Sequence, residues 1–221
     1  MFYKDSHQVY RVPAFDQFDW LEHGFGTRGS ENFWPGDRLA TLHQIHSDIV
    51  VRAGGLSGRI GDGDALIANT PGQLVAVKTA DCIPLLMVDP RNRAVAAVHA
   101  GWRGTVSRIA QKAVQHLEGN FSSQAEDLHV AIGPGIGKCC YKVGADVAFH
   151  FREYDQALSD LTRSAHLDLA EINHKQLIES GVPPEKIYVA GLCTFCHPDD
   201  FHSYRRDRDQ AGRMLSVIGL R

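Results

Sequence analysis

The chain has 221 residues, 43% of them hydrophobic and 22% charged, with a formal net charge of −3. That length buries one sizeable core, so a single domain over residues 1–221 is expected, and the scattered Lys and Arg exclude the basic footprint of a nucleic-acid binder. The N-terminal MFYKDSHQVYRV lacks the apolar run of a secretory signal, and no apolar stretch approaches the ~20 residues of a bilayer span. A cytoplasmic protein without membrane contact is expected. Five cysteines are an odd number in a chain large enough to fold without staples, which predicts free thiols.

In chain order, LVAVKTA (74–80), IPLLMVD (83–89) and AVAAVHA (94–100) are apolar runs bounded by Pro71-Gly72, Asp81-Cys82 and Asp89-Pro90. They predict three consecutive buried strands in mid-sheet. From Thr105 the period changes. Val106, Ile109, Ala110, Ala113, Val114 and Leu117 recur at helical spacing and predict a helix ending at Gly119-Asn120. LHVAI (128–132) predicts a strand leading into the glycine loop GPGIG (133–137). LDLAEINHKQLIES (167–180) predicts a helix stopped by Gly181 and Pro183, and KIYVAG (186–191) a last strand delivering CTFCHPDDFHSYRRD. Strands and helices alternate loosely, so the fold class lies between α/β and α+β, with mixed β-sheet layers flanked by helices.

Chemistry gathers at the ends of these runs. Strand 94–100 closes on His99 and passes at once into a small-residue turn carrying Trp102 and Arg103. His46 in LHQIHSDIV and Cys82 in KTADCIP are further soft donors beside apolar segments. Two imidazoles and one thiolate make a three-ligand zinc set that leaves a fourth position open, as catalytic zinc sites do. Taken singly, each is equally a buried cysteine or a hydrogen-bonded core histidine. Arg103 follows a candidate ligand on a turn that opens a helix, where guanidinium and free N–H groups favour an anion. SYRRD supplies Ser203, Arg205 and Arg206. Adjacent arginines on an extended segment point to opposite faces, so one is expected at a pocket and the other in a salt bridge with Asp207 or Asp209. Asp81 reads either as an acid for a leaving group or as a turn residue. GPGIG lacks the Lys-Ser/Thr of a P-loop and reads as a tight turn.

The zinc deaminase signature, H-x-E followed by P-C-x-x-C, is only imitated. Leu192 stands where proline belongs before Cys193-Thr194-Phe195-Cys196, and His116-Leu117-Glu118 falls on a solvated helix end. The lone CTFC pair reads as packing or pocket wall, with a redox or structural zinc motif as the alternative.

The stretches HQIHSDIV, DALIANTPGQLVAVKTADCIPLLMVDP, AAVHAGWRGTV, AIGPGIGKCCYKVG and FHSYRRDRDQAGRM, in that order, resemble the YfiH-like, laccase-domain family. Its members carry the names polyphenol oxidase and purine nucleoside phosphorylase. The resemblance implies a YfiH-like fold and a zinc-type site, Zn2+ or copper, made by His46, Cys82 and His99. It also implies phosphorolysis of adenosine, inosine and S-methyl-5'-thioadenosine, with some adenosine deamination. The partners would be purine nucleoside and phosphate, with the chain as monomer or homodimer. One departure concerns ENFWPGDRLATL, shorter here than the family's segment before HQIH.

A multicopper oxidase needs many histidines, characteristically in His-X-His pairs. None of the 12 histidines forms such a pair, which argues against the four-copper architecture, although Cu(II) competes well for a single site of nitrogen and sulfur donors. Two other classes stay open. One is a Cys–His hydrolase of a peptide or cell-wall precursor, with Cys82 as nucleophile and His99 or His46 as base. The other is a metal-binding scaffold without catalysis.

Overall fold

Two mixed sheets lie face to face, and helices cover the outer face of one of them. The computed structural model describes residues 1–30, 33–160 and 164–221. The seven-stranded sheet runs, in spatial order, Tyr3–Lys4, Tyr10–Arg11, Leu21–Phe25, Met214–Leu220, Leu74–Thr79, Leu39–His43 and Gly58–Asp62. The six-stranded sheet runs Ile187–Val189, His129–Ile132, Ile83–Asp89, Ala94–Ala100, Ala65–Ala68 and Val50–Arg52. The expected mixed-sheet class with flanking helices is what the chain adopts.

The alternation of side chains along a strand explains the layering. In Ala94–Ala100, Ala94, Ala96 and Val98 pack with Ile109, Ala113, Val114 and Leu117 of the Ile109–Phe121 helix, while Val95 and Ala97 join Val75, Val77 and Ile218 between the sheets. Both faces are buried, which is why the run is apolar throughout. His99 therefore points toward the seven-stranded sheet. It stands at the end of its strand, opposite Pro84, where the two sheets part.

Three expectations need correction. Leu74–Thr79 does not join Ile83–Asp89 and Ala94–Ala100 in one sheet. It crosses to the centre of the other, because the Ala80–Cys82 bend, with Asp81 at φ 86°, redirects the chain. The helix after the Gly-Trp-Arg-Gly turn comes in two pieces, Trp102–Val106 and Ile109–Phe121. Arg108 breaks it in a left-handed conformation, φ 59°, and its guanidinium pairs with Glu153 and Glu179. KIYVAG is not the last strand. Met214–Leu220 follows it and holds the middle of the seven-stranded sheet. Within the short segment after Ser30, residues 31 and 32 lie outside the described residues.

Candidate active site

His46, Cys82 and His99 reach one point from three separate elements. Their donor atoms all lie within 4.8 Å of one another, and the two imidazole rings meet edge to face with centroids 5.0 Å apart. His99 is buried, Cys82 half-buried and His46 exposed, so the cluster has a closed back and an open front.

Asp64, fully buried, organises this arrangement. One carboxylate oxygen accepts from His99 Nδ1 at 2.7 Å and from the His46 amide at 3.1 Å; the other accepts from the Ser47 amide at 2.6 Å and the Ser47 hydroxyl at 2.7 Å. Its carbonyl accepts from the His99 amide at 2.7 Å. With Nδ1 engaged, Nε2 is left to face Cys82, which is how a carboxylate fixes the tautomer of a metal-ligating histidine. Asp64 also holds the His46 turn, where His46 itself sits at φ 58°. The donor set and its spacing fit one borderline-soft ion, with Asp64 behind it.

The electrostatics follow from this packing. Burial pushes the Cys82 thiol up, but the charge on His99 and hydrogen bonds from His46 and His99 outweigh it and bring it down to about 6. Burial depresses His99, yet the Cys82 thiolate and Asp64 raise it to about 9. Asp64 is pushed up by burial and drawn down, by its bonds to His99 and Ser47, to about 2. These shifts all favour the charged forms of the three groups, and the thiolate is the form that ligates metals.

The glycines of the Gly-Trp-Arg-Gly turn are there for space. A Cβ on Gly101 would lie 3.0 Å from Cys82 Sγ and 3.2 Å from His46 Cδ2, and one on Gly104 would lie 3.2 Å from the Ser47 carbonyl. A side chain at either would force its neighbours in the cluster's supporting segments to give by a few tenths of an ångström.

A cavity of about 750 Å³ opens in front of the cluster, lined by Thr41, Leu42, His43, Gln44, Lys78 and Ala80 beside the three donors, with Arg59, Arg213 and Tyr204 at its rim. Gln44 grips the backbone of Lys78 at both its amide and its carbonyl, 2.7 and 2.8 Å. Sequence reasoning missed Asp64, whose GDGDAL context looks like an ordinary turn, and the cations Arg59, Lys78 and Arg213, which sit on unrelated segments.

The remaining expected residues lie elsewhere. Arg103 is exposed and stacks on its neighbour Trp102, 4.4 Å from guanidinium to ring centroid. Arg205 lies 5.2 Å over Tyr141, and the charges of both arginines reach the Tyr141 hydroxyl. They flank Tyr141 outside the cavity lining. SYRRD is not extended: Ser203 is buried and caps a one-turn helix, Tyr204–Asp207, by accepting from the Arg206 amide at 3.2 Å. Arg206 pairs with Asp207 and donates to the carbonyls of Thr194, Phe195 and Phe201. Asp81 accepts from the Thr194 hydroxyl and the Arg205 amide, both at 2.6 Å, which is the turn-residue alternative. GPGIG is a packing turn: a Cβ on Gly133 would collide with Phe25.

Residues 30–221 match the family model described as multi-copper polyphenol oxidoreductase laccase. The chain belongs to this family. It is 45% identical over 186 residues to the purine nucleoside phosphorylase of Deinococcus radiodurans, covering 83% of this chain and 71% of that protein. It is 35% identical over 161 residues to the adenosine deaminase RL5 of an unknown prokaryotic organism, covering 70% of this chain and 61% of that protein. The crystal structure of YlmD from Geobacillus stearothermophilus superposes with a TM-score of 0.89 at 28% identity, over all of this chain and 98% of that one. The multi-copper description does not carry over to the donors of this laccase-family chain. Among the described residues two groups are placed to hold metal, the His46–Cys82–His99 cluster and a set of four cysteines, and neither gathers the histidines of a multinuclear copper centre.

Proposed function

We propose that this chain is a purine nucleoside phosphorylase acting on adenosine, inosine and S-methyl-5'-thioadenosine, with adenosine deaminase as a side activity. The observation that carries the reading is a three-donor cluster opening into a cavity of about 750 Å³ that carries Lys78, Arg59 and Arg213. That volume suits a nucleoside with phosphate beside it. The names of two relatives point to the same pair of activities.

Zn2+ is the proposed ion at His46, Cys82 and His99, since two imidazole nitrogens and one thiolate with an open side are a catalytic zinc pattern; copper is the competitor. When bound, the ion supplies Lewis-acid charge on the open side of its ligands. The chain's own residues do the rest. Lys78, Arg59 and Arg213 attract the phosphate dianion and hold it against the sugar. Tyr204 offers a ring face at the rim for the purine. Asp64 fixes His99 in one tautomer and orientation. Arg103 and Arg205, flanking Tyr141, are proposed substrate contacts outside that cavity. Ser203 and Arg206 serve at one remove, by shaping the turn that presents Tyr204 and Arg205. Small-molecule partners, a cytoplasmic site of action and a monomer or homodimer complete the reading. No helix among the described residues is long and apolar enough to cross a membrane.

Incubating the chain with adenosine, with and without inorganic phosphate, and separating products by chromatography tests it. Adenine and ribose 1-phosphate are expected with phosphate, and only slow inosine formation without it. Inosine at the same rate in both arms, and never free base, would refute the phosphorylase. A chelator should abolish turnover and added zinc restore it; turnover that survives chelation would point to a Cys–His hydrolase built on Cys82, His99 and Asp64.

A further inference from the structure

The four cysteines outside the active site converge on one another. Cys139 and Cys140 leave the GPGIG turn, while Cys193 and Cys196 come from the CTFC loop more than fifty residues later. Their sulfurs all lie within 4.8 Å of one another, with Cys139–Cys196 at 3.7 Å and Cys140–Cys196 at 3.4 Å. All four are free thiols. We propose that Cys139, Cys140, Cys193 and Cys196 bind one zinc-class divalent ion as a closed tetrathiolate site, separate from the His46–Cys82–His99 cluster.

Geometry and wiring carry this. Tetrahedral zinc–thiolate bonds of ~2.3 Å place neighbouring sulfurs ~3.8 Å apart, close to the spacing here. An iron–sulfur cluster would instead spread its thiolates over several irons. Cys196 stands near two sulfurs at once, an arrangement that a single ion serves and a single disulfide does not. The loops are also shaped around the sulfurs. The Gly137 amide donates to Cys193 Sγ at 3.2 Å, a bond that stabilises a thiolate. A Cβ on Gly137 would lie 3.3 Å from Cys193 Cβ and 3.4 Å from Cys139 Sγ, so glycine lets the two loops close. The backbones meet as well, through a bridge between Gly135 and Cys193 and the Thr194 amide donating to the Gly135 carbonyl at 3.0 Å.

The two loops together grip the residue before Cys82. The Ile136 amide donates to the Asp81 carbonyl at 2.8 Å, and the Thr194 hydroxyl to the Asp81 carboxylate at 2.6 Å. An ion joining Cys139 and Cys140 to Cys193 and Cys196 therefore fixes the base on which Cys82 stands. Its role is positional, without contact with substrate. Binding converts thiols to thiolates, so protons pass to the solvent as the ion enters.

The test counts metal on the full chain, purified under reducing conditions and loaded with zinc or cobalt(II). Native mass spectrometry should find two ions on the wild type, one on Cys82→Ala, and one on Cys193→Ser/Cys196→Ser. Cobalt-loaded Cys82→Ala should keep the intense visible and charge-transfer absorption of a tetrathiolate. The exposed single variant Cys139→Ser should weaken that absorption if the double variant fails to fold. Cys82→Ala holding no ion, or a spectrum unchanged by Cys139→Ser, would overturn the proposal. A mass showing two disulfides in the freshly reduced and desalted protein, with no metal uptake, would also overturn it. Because the clusters are counted separately, failure here is distinguishable from failure of the His46–Cys82–His99 reading.

Discussion

At the scale of single residues, Asp64 and Gly101 decide more about the candidate site than any residue that announces itself in the sequence. Asp64 accepts five hydrogen bonds through its carboxylate, from His99, His46, Ser47 twice and Ile45. Asp64→Asn keeps the shape but places an amide donor against donors. The expected outcome is a roughly 10- to 100-fold loss of zinc affinity, by chelator competition, with a parallel fall in kcat/KM. Unchanged affinity would mean that His99 needs no partner. Gly101→Ala tests the other constraint. Its methyl group would press on Cys82 and His46, which would have to give by a few tenths of an ångström, so activity should fall, but by less than the ~100-fold that a ~1 Å misplacement costs, while Tm moves by a few degrees only. His46, Cys82 and His99 were legible because their motifs resemble those of a known family. Asp64 was not, since an aspartate between glycine and a strand is also ordinary turn chemistry. The second cysteine pair, adjacent in sequence as Cys139-Cys140, does not read as a partner for CTFC until the loops are seen together.

At the scale of elements, the strand Leu21–Phe25 carries a buried histidine outside the three-donor cluster. His23 is buried, accepts from the Val12 amide at 3.0 Å and packs edge-on against Phe15. Burial, with the charges of Arg11 and Arg221, lowers it to about 3 from an ordinary value of 6.5. The folded state thus holds this histidine neutral while the unfolded state protonates it. The stability it contributes is fully present above pH 6.5 and is lost as pH falls toward 3. Between about pH 8 and pH 5 the loss should be about 2 kcal/mol, read from urea unfolding. His23→Gln, which keeps an acceptor for Val12, should lose about that much less over the same interval; parallel curves for the two proteins would show that His23 is not the source. The strands 83–89 and 94–100 and the helices 109–121 and 169–179 were legible because both faces of the former, and one face of the latter, are apolar. The split of the first helix at Arg108 was not, because nothing in the local sequence marks Arg108 for the left-handed conformation it adopts, φ 59°.

At the scale of the whole molecule, the last strand closes the seven-stranded sheet. Met214–Leu220 pairs on one side with Leu21–Phe25 and on the other with Leu74–Thr79, so it joins the N-terminal strands to the strands that line the cavity. Ser216 and Gly219 interrupt its apolar run, so it does not stand out in the sequence as a buried strand. Gly219 is required by its neighbour, since a Cβ there would collide with the Gln73 carbonyl. Val217, Ile218 and Leu220 are all buried, and at ~1.5–3 kcal/mol per buried side chain their loss alone costs about 5–9 kcal/mol. That is comparable with the whole stability of a typical domain, ~5–15 kcal/mol, before the two ladders of hydrogen bonds are considered. Deleting residues 214–221 should therefore abolish the folded state, seen as loss of the near-ultraviolet circular dichroism signal and of the cooperative melt. Cys82→Ala, by contrast, changes one side chain of the proposed metal cluster and should leave both in place. If the truncated chain still melts cooperatively, the two sheets are held by the face-to-face core alone, and the closing strand is dispensable to the fold.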